Sequence, residues 1–183
     1  MSTILDTTLR DGEQMPGLEL SVACKCRLAG ALAEAGVREI EAGFPGAGPI
    51  QSEAVGEIVK LKLPSRISAW CRARNDDIET AMSCGVDIVH ISLPCSDILL
   101  NAFNKDAYWV FHTIATIVRE TLASGTRISV GLQDVSRANR SLVRAITAAC
   151  VDTGVQRIRF ADSVGTWLPD EVCEFITDIR KTF

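Results

Sequence analysis

Short apolar runs alternate along the chain with longer segments whose apolar residues recur every three or four positions. The runs predict strands over Thr3–Leu9, Glu39–Phe44, Arg66–Cys71, Ile88–Ser92, Ile128–Leu132 and Arg157–Ala161. Between them Val22, Cys26, Ala29 and Ala33 keep helical spacing, as do Ala54, Ile58 and Leu61, then Ile114, Ile117 and Thr121. Leu142, Ala145, Ile146 and Ala149 form the next stripe, and Val172, Phe175, Ile176 and Ile179 the last, which Pro169 opens as a first-turn residue. Strands alternating with amphipathic helices predict βα units whose helices pack outward onto a parallel sheet.

The punctuation repeats with the same period. Gly36-Val37, Gly85-Val86, Gly125-Thr126 and Gly154-Val155 each close a helical stretch just before a strand, where glycine supplies the left-handed cap that turns the chain back. Six units are visible in 183 residues, whereas a TIM barrel has eight and typically about 250 residues. The expectation is an α/β fold, an incomplete TIM (β/α)8 barrel of about six βα units with parallel strands. Residues 1–183 read as a single partial barrel domain, with no linker or low-complexity tract. The shortfall is expected to reflect an N-terminal portion, truncated or split from the rest. Its first and last strands would then be open edges that something should cover.

Composition narrows the possible roles. With 47% hydrophobic residues, a net charge of −4 and 19 Lys plus Arg without a basic run, binding to nucleic-acid phosphates is excluded as the main task. The segment MSTILDTTLRDGEQ lacks the charged and apolar regions of a signal peptide, and no apolar run approaches a membrane span. The expectation is a cytoplasmic protein without a membrane partner. Seven cysteines, scattered through apolar segments without a Cys-x-x-Cys pair, read as reduced small hydrophobes rather than a disulfide framework or thiolate metal site.

In parallel βα architectures, reactive groups collect at the C-terminal ends of strands. The first strand's tail, Asp6-Thr7-Thr8-Leu9-Arg10-Asp11-Gly12-Glu13-Gln14, is the richest. It sets a guanidinium, carboxylates and an amide around a glycine that permits a tight turn. Such a cluster suits divalent-cation binding through Asp11 and stabilisation of a developing oxyanion by Arg10. Composition alone equally allows a charged surface turn.

The segment Asp6–Gln14 closely resembles the first-strand signature of the metal-dependent acyl-CoA aldolase and lyase barrels, the family that includes 2-isopropylmalate synthase, homocitrate synthase and hydroxymethylglutaryl-CoA lyase. Further resemblances follow in order: Glu39-Ile40-Glu41-Ala42-Gly43-Phe44-Pro45, Ser68-Ala69-Trp70-Cys71-Arg72-Ala73-Arg74, His90-Ile91-Ser92-Leu93-Pro94, Ser129–Arg137, and Phe160-Ala161-Asp162-Ser163-Val164-Gly165. Within that family the Ala-Trp-Cys-Arg-Ala and Ser-Val-Gly forms are most similar to the bacterial homocitrate synthases of nitrogenase cofactor assembly. The resemblance implies a cytoplasmic acyltransferase performing a Claisen-type condensation of acetyl-CoA with 2-oxoglutarate. It also implies roles: Arg10 polarises the keto oxygen, Asp11 is a metal ligand, and Gln14 and Glu41 hold the substrate or the arginine. Arg72 would meet a substrate carboxylate, although an exposed structural ion pair is an equal reading. Ser163, where relatives carry threonine, would offer a hydroxyl to a substrate carboxylate.

Two departures bear on that implication. Relatives complete the divalent metal site (Mg, Mn or Zn) with a His-x-His pair on a seventh strand. Here only His90 and His112 occur, without ligand spacing, and both read as structural. Gln133 stands where relatives carry glutamate. The expectation is therefore an N-terminal subunit that binds metal only with a companion chain, or a homo-oligomer. The alternatives are a 2-isopropylmalate synthase-like acyltransferase and a catalytically inactive barrel acting as a binding or interaction module.

Overall fold

A computed structural model describes residues 3–183. Its strands are β1 (Leu5–Asp6), β2 (Glu39–Glu41), β3 (Arg66–Arg72), β4 (Ile88–Pro94), β5 (Ile128–Gln133) and β6 (Ile158–Phe160). Sheet order equals chain order, β1-β2-β3-β4-β5-β6. β1 pairs in parallel with β2 (Leu5 opposite Glu39), β2 with β3 (Ile40 opposite Ile67) and β5 with β6 (Gly131 opposite Arg159). The helices are α1 (Val22–Glu34), α2 (Pro49–Lys60), α3 (Asn75–Ser83), α4 (Asp97–Ala102), α5 (Ala107–Thr113), α6 (Arg119–Ala123), α7 (Arg140–Thr153) and α8 (Pro169–Thr182). The six parallel βα units match the expected fold class.

Local chemistry sets the boundaries. The Ser21 hydroxyl accepts from Cys24 N at 3.3 Å and caps α1, and Asn139 accepts from Ser141 N and Leu142 N at 2.9 and 3.3 Å to cap α7. Pro169 takes the first position of α8, where a missing N–H costs nothing, and Glu171 accepts from Leu168 N at 2.8 Å. Gly36 and Gly154 both adopt left-handed backbone, with φ of 85° and 91°. Each is followed by a residue whose N–H reaches back into the last helical turn, Val37 to Leu32 O and Val155 to Cys150 O.

The chain falls into two compact units, one holding residues up to Ile91 with Ala123–Ile128, the other Ser92–Leu122 with Ser129–Phe183. In the first, Leu9, Ile40, Ala42 and Ile67 join Ala29 and Ala33 of α1 and Val55 and Ile58 of α2 in one buried core. In the second, Val130 and Leu132 of β5 and Val143, Ile146 and Cys150 of α7 are buried, and Phe175 of α8 packs edge-on to Phe160 with ring centroids 5.1 Å apart.

Several local expectations shift: β2 stops at Glu41 rather than Phe44, and Leu61, Val172 and Ile176, expected on packed helical faces, are exposed. β1 stops at Asp6 rather than Leu9 because the Asp6 carboxylate accepts from Thr8 N at 2.9 Å and Thr8 Oγ1 at 3.2 Å, bending the chain into a turn. The buried face of α7 is Val143, Ile146, Thr147 and Cys150, with Ala145 exposed. Between α5 and α6, Ile114–Val118 forms a π turn, whose i→i+5 bonding adds a residue to the turn and buries Val118 where an unbroken α period favoured Ile117. Among the described residues no helix is long and apolar enough to cross a membrane. All seven cysteines are free thiols, and burial pushes Cys95 and Cys150 up to about 12 and Cys71 higher still, so they stay protonated.

Candidate functional site

The turn that ends β1 builds the richest cluster of the first unit. Thr7 O accepts from Arg10 N, Asp11 N and Gly12 N at 3.1, 2.8 and 3.3 Å, and Gly12–Gln14 continues as one 3-10 turn. Arg10 Nε donates to Glu41 Oε1 at 2.7 Å and its Nη1 to Asp11 Oδ1 at 2.8 Å. Glu41, the last residue of β2, is fully buried, whereas the Asp11 side chain is 61% exposed. A buried carboxylate needs a cation and hydrogen bonds to offset lost hydration, and Arg10 supplies both. Two of the expected residues, Arg10 and Glu41, thus meet directly across 31 positions of sequence.

An aromatic pair extends this arrangement. The Arg10 guanidinium lies 5.6 Å from the Trp70 ring centre, Trp70 meets Phe44 edge-on at 4.8 Å, and Arg72 lies over Phe44 at 5.1 Å. Arg72 is also held by Asp77 in a two-pronged pair, Nε to Oδ2 and Nη2 to Oδ1, both 2.8 Å. The structural ion pair that the sequence left open is therefore formed, with Asp77 itself buried. Gly46 makes room for it, since a Cβ there would run into the Asp77 carboxylate and the Phe44 ring.

Beside Arg10 lies a cavity of about 320 Å³ lined by Arg10, Glu13, Gln14, Leu18, Glu19, Phe44, Ala47 and Gln51. Its volume lies at the small end of the range of small-molecule sites, and Gln14 lies in its wall. Sequence reasoning missed Lys25. This ammonium is 1% exposed and donates to Glu13 Oε2 at 2.6 Å and Gln51 Oε1 at 2.9 Å. A signal was present: Lys25 shares the face of Ala29 and Ala33, an apolar stripe with one charged member.

The second unit holds Ser163, whose Oγ accepts from Asp134 N at 2.9 Å, leaving its hydroxyl proton to donate. Asp134 follows β5 in left-handed backbone (φ 62°), fully buried. Its carboxylate accepts a fork from Arg137, both arms 2.8 Å, and the Ser96 hydroxyl at 2.5 Å, which hold it below the usual carboxylate range. Asp162 accepts from Ser136 Oγ at 2.5 Å and Trp167 N at 2.8 Å and is lowered to about 2 by those bonds, the serine's first. Gln133 ends β5 half-buried, and its carbonyl accepts from Cys95 N at 3.3 Å. These strand-end acids also escaped the sequence reading, because their partners lie up to 38 residues away.

The described residues do not by themselves fit a catalytic divalent cation. Among them no group of three or more His, Cys, Asp or Glu could hold a metal. Asp11 is a lone exposed carboxylate engaged with Arg10. His90 is buried in β4, and His112 on α5 stacks on Tyr108 with centroids 6.0 Å apart.

The chain matches the HMGL-like family over residues 2–183. It is 43% identical over 178 residues to homocitrate synthase subunit alpha of Clostridium pasteurianum, covering 97% of this chain and 66% of that one. It is 41% identical to homocitrate synthase of Frankia sp. (strain FaC1), over 87% of this chain and 40% of the relative. It is 36% identical to 2-isopropylmalate synthase 2 of Caldanaerobacter subterraneus, over 97% and 46%. The chain thus spans just under two thirds of the clostridial relative and less than half of the other two. Among solved structures, the HMG-CoA lyase of Bacillus subtilis superposes with a TM-score of 0.85 at 17% identity, over 99% of this chain and 64% of that one. That likeness shows the fold, and the six βα units are those of an incomplete (β/α)8 barrel.

Proposed function

The chain belongs to the HMGL-like family, and from that premise we propose that it supplies the keto-acid-binding half of a homocitrate-forming acyltransferase. The observation that carries the reading is the 43% identity, over nearly the whole chain, to a homocitrate synthase alpha subunit. The buried Glu41–Arg10 pair beside the cavity supports it.

In this reading acetyl-CoA loses a methyl proton and its enolate carbon bonds to the keto carbon of 2-oxoglutarate. The keto oxygen becomes an alkoxide and takes up a proton, and water cleaves the thioester to give homocitrate and free CoA. Arg10 donates to the keto oxygen as its charge grows, the role in which a positioned cation is most effective. Glu41, through Nε, fixes the guanidinium plane before substrate arrives. Gln14 from the cavity wall, Arg72 and Ser163 are assigned to the substrate's carboxylates, with Arg72 sharing its guanidinium with Asp77.

Asp11 is proposed as one ligand of a shared Mg, Mn or Zn site completed by a companion chain, a partner suggested by the name "subunit alpha" of the clostridial relative. The proposal extends to a cytoplasmic role in nitrogenase cofactor assembly, which rests on the Ala69-Trp70-Cys71-Arg72-Ala73 and Ser163-Val164-Gly165 forms. A 2-isopropylmalate synthase-like activity is the second reading, favoured by the 36% identity over 97% of the chain.

The test is CoA release, followed with a thiol reagent, by the chain co-expressed with its companion. Release should depend on 2-oxoglutarate. Release with 2-oxoisovalerate instead establishes the second reading, and none with any 2-oxo acid removes both.

A further inference from the structure

We propose that Lys25 is a positioning residue: its buried ammonium forms, with the half-buried Glu13 and Gln51, a brace that fixes the turn carrying Arg10, Asp11 and Gln14. The inference rests on the condensation reading above for what the turn does, and on geometry alone for the brace.

The three side chains come from three elements, Glu13 from the turn, Lys25 from α1 and Gln51 from α2. They close a triangle: Lys25 Nζ to Glu13 Oε2 at 2.6 Å, Lys25 Nζ to Gln51 Oε1 at 2.9 Å, and Gln51 Nε2 to Glu13 Oε2 at 3.0 Å. Thr7 O and Glu41 hold the Arg10 end of the turn, whereas the Gln14 end has, besides the brace, Gln14 N to Asp11 O at 3.1 Å and Met15 N to Gly12 O at 3.2 Å in a single 3-10 turn. A glycine makes room for the third member. A Cβ at Gly43 would sit 3.3 Å from Gln51 Oε1 and 3.0 Å from Val55 Cγ2.

Stability does not explain the choice of residues. Burying an ammonium forfeits its hydration, and well-packed apolar side chains of equal volume generally stabilise as well or better. An apolar cluster, however, lets a turn slide, whereas three directional bonds give it one register. Glu13 is adjacent to Gln14, and Glu13 and Gln51 share the cavity wall with Arg10 and Gln14. The brace therefore sets the wall that the proposed substrate meets.

Two variants separate positioning from packing: Lys25→Met, which leaves the half-buried Glu13 without its cation, and Lys25→Met/Glu13→Leu, which replaces the pair by apolar groups. Hydrogen exchange of the chain free of any partner should show amides 11–15 exchanging at least about tenfold faster in both, while α3 and α7 keep their protection. With the companion chain, kcat/KM for the 2-oxo acid should fall at least about tenfold in both, even where the double variant regains the wild-type melting temperature. Unchanged exchange in either variant overturns the brace, as does recovery of both melting temperature and kcat/KM in the double variant. If the wild-type enzyme turns over no 2-oxo acid, the functional reading falls while exchange still decides the brace.

Discussion

Glu41→Ala removes the fully buried carboxylate that holds Arg10 Nε at 2.7 Å. Taking one partner from a buried pair costs about 3–5 kcal/mol, because the other charge is left without compensation. Arg10 is less confined than that limit supposes, since its side chain keeps 17% exposure and its Nη1 keeps Asp11. The expected loss is therefore about 2–3 kcal/mol for Glu41→Ala. Glu41→Gln, which retains a neutral acceptor, should lose roughly half as much. A cycle with Arg10→Met isolates the pair, and its coupling energy should be about 1.5–3 kcal/mol. Urea unfolding of each variant, followed by circular dichroism and by tryptophan fluorescence, gives the four free energies when the two probes coincide. A coupling below about 0.5 kcal/mol, the value of an exposed surface pair, would refute the claim that Glu41 holds the arginine in place.

Acid should reveal the second unit's strand-end acids. Asp162 is held at about 2 against an ordinary 3.8, so its contribution is present above the higher value and lost as pH falls through the lower. Urea midpoints measured across that window should drop in the wild type and flatten in Asp162→Asn, and parallel losses would contradict the assignment. Packing at the aromatic pair gives a further expectation. Gly46→Ala drives a methyl into Asp77 and Phe44 and should destabilise by about 1–3 kcal/mol through overpacking. Gly30→Ala on α1, with nothing within 4 Å of its added Cβ, should stabilise by about 0.5–1 kcal/mol. Equal midpoints for the two alanine variants would overturn that contrast.

What the sequence disclosed and what it hid follow one division. The βα alternation was legible because apolar spacing and glycine caps are local. Gly36 and Gly154 close their helices in left-handed backbone as their position before a strand implied. Asp6 misled because a carboxylate inside an apolar run also bends the chain, and here it ends β1. The α7 face moved because Ala145 and Val143 are both apolar and only packing against neighbours chooses between them. At the site, the turn's composition pointed to Arg10, but the partners of buried charges are set by folding: Lys25 to Gln51 spans 26 positions, and Ser96 to Asp134 spans 38. Arg72 marks the boundary, since its strand-end place was readable and its Asp77 partner only five residues on was not.

The proposed service of the turn after β1, carbon–carbon bond formation at a keto carbon, can be followed by isotope labelling. The chain, with the proposed companion chain, is supplied with acetyl-CoA carrying ¹³C at the methyl carbon, together with 2-oxoglutarate, and the products are read by NMR. Label should appear in a methylene carbon of homocitrate, and that signal should be lost in Arg10→Gln with the fold retained. Label only in free acetate, or label in homocitrate undiminished by Arg10→Gln, would contradict it.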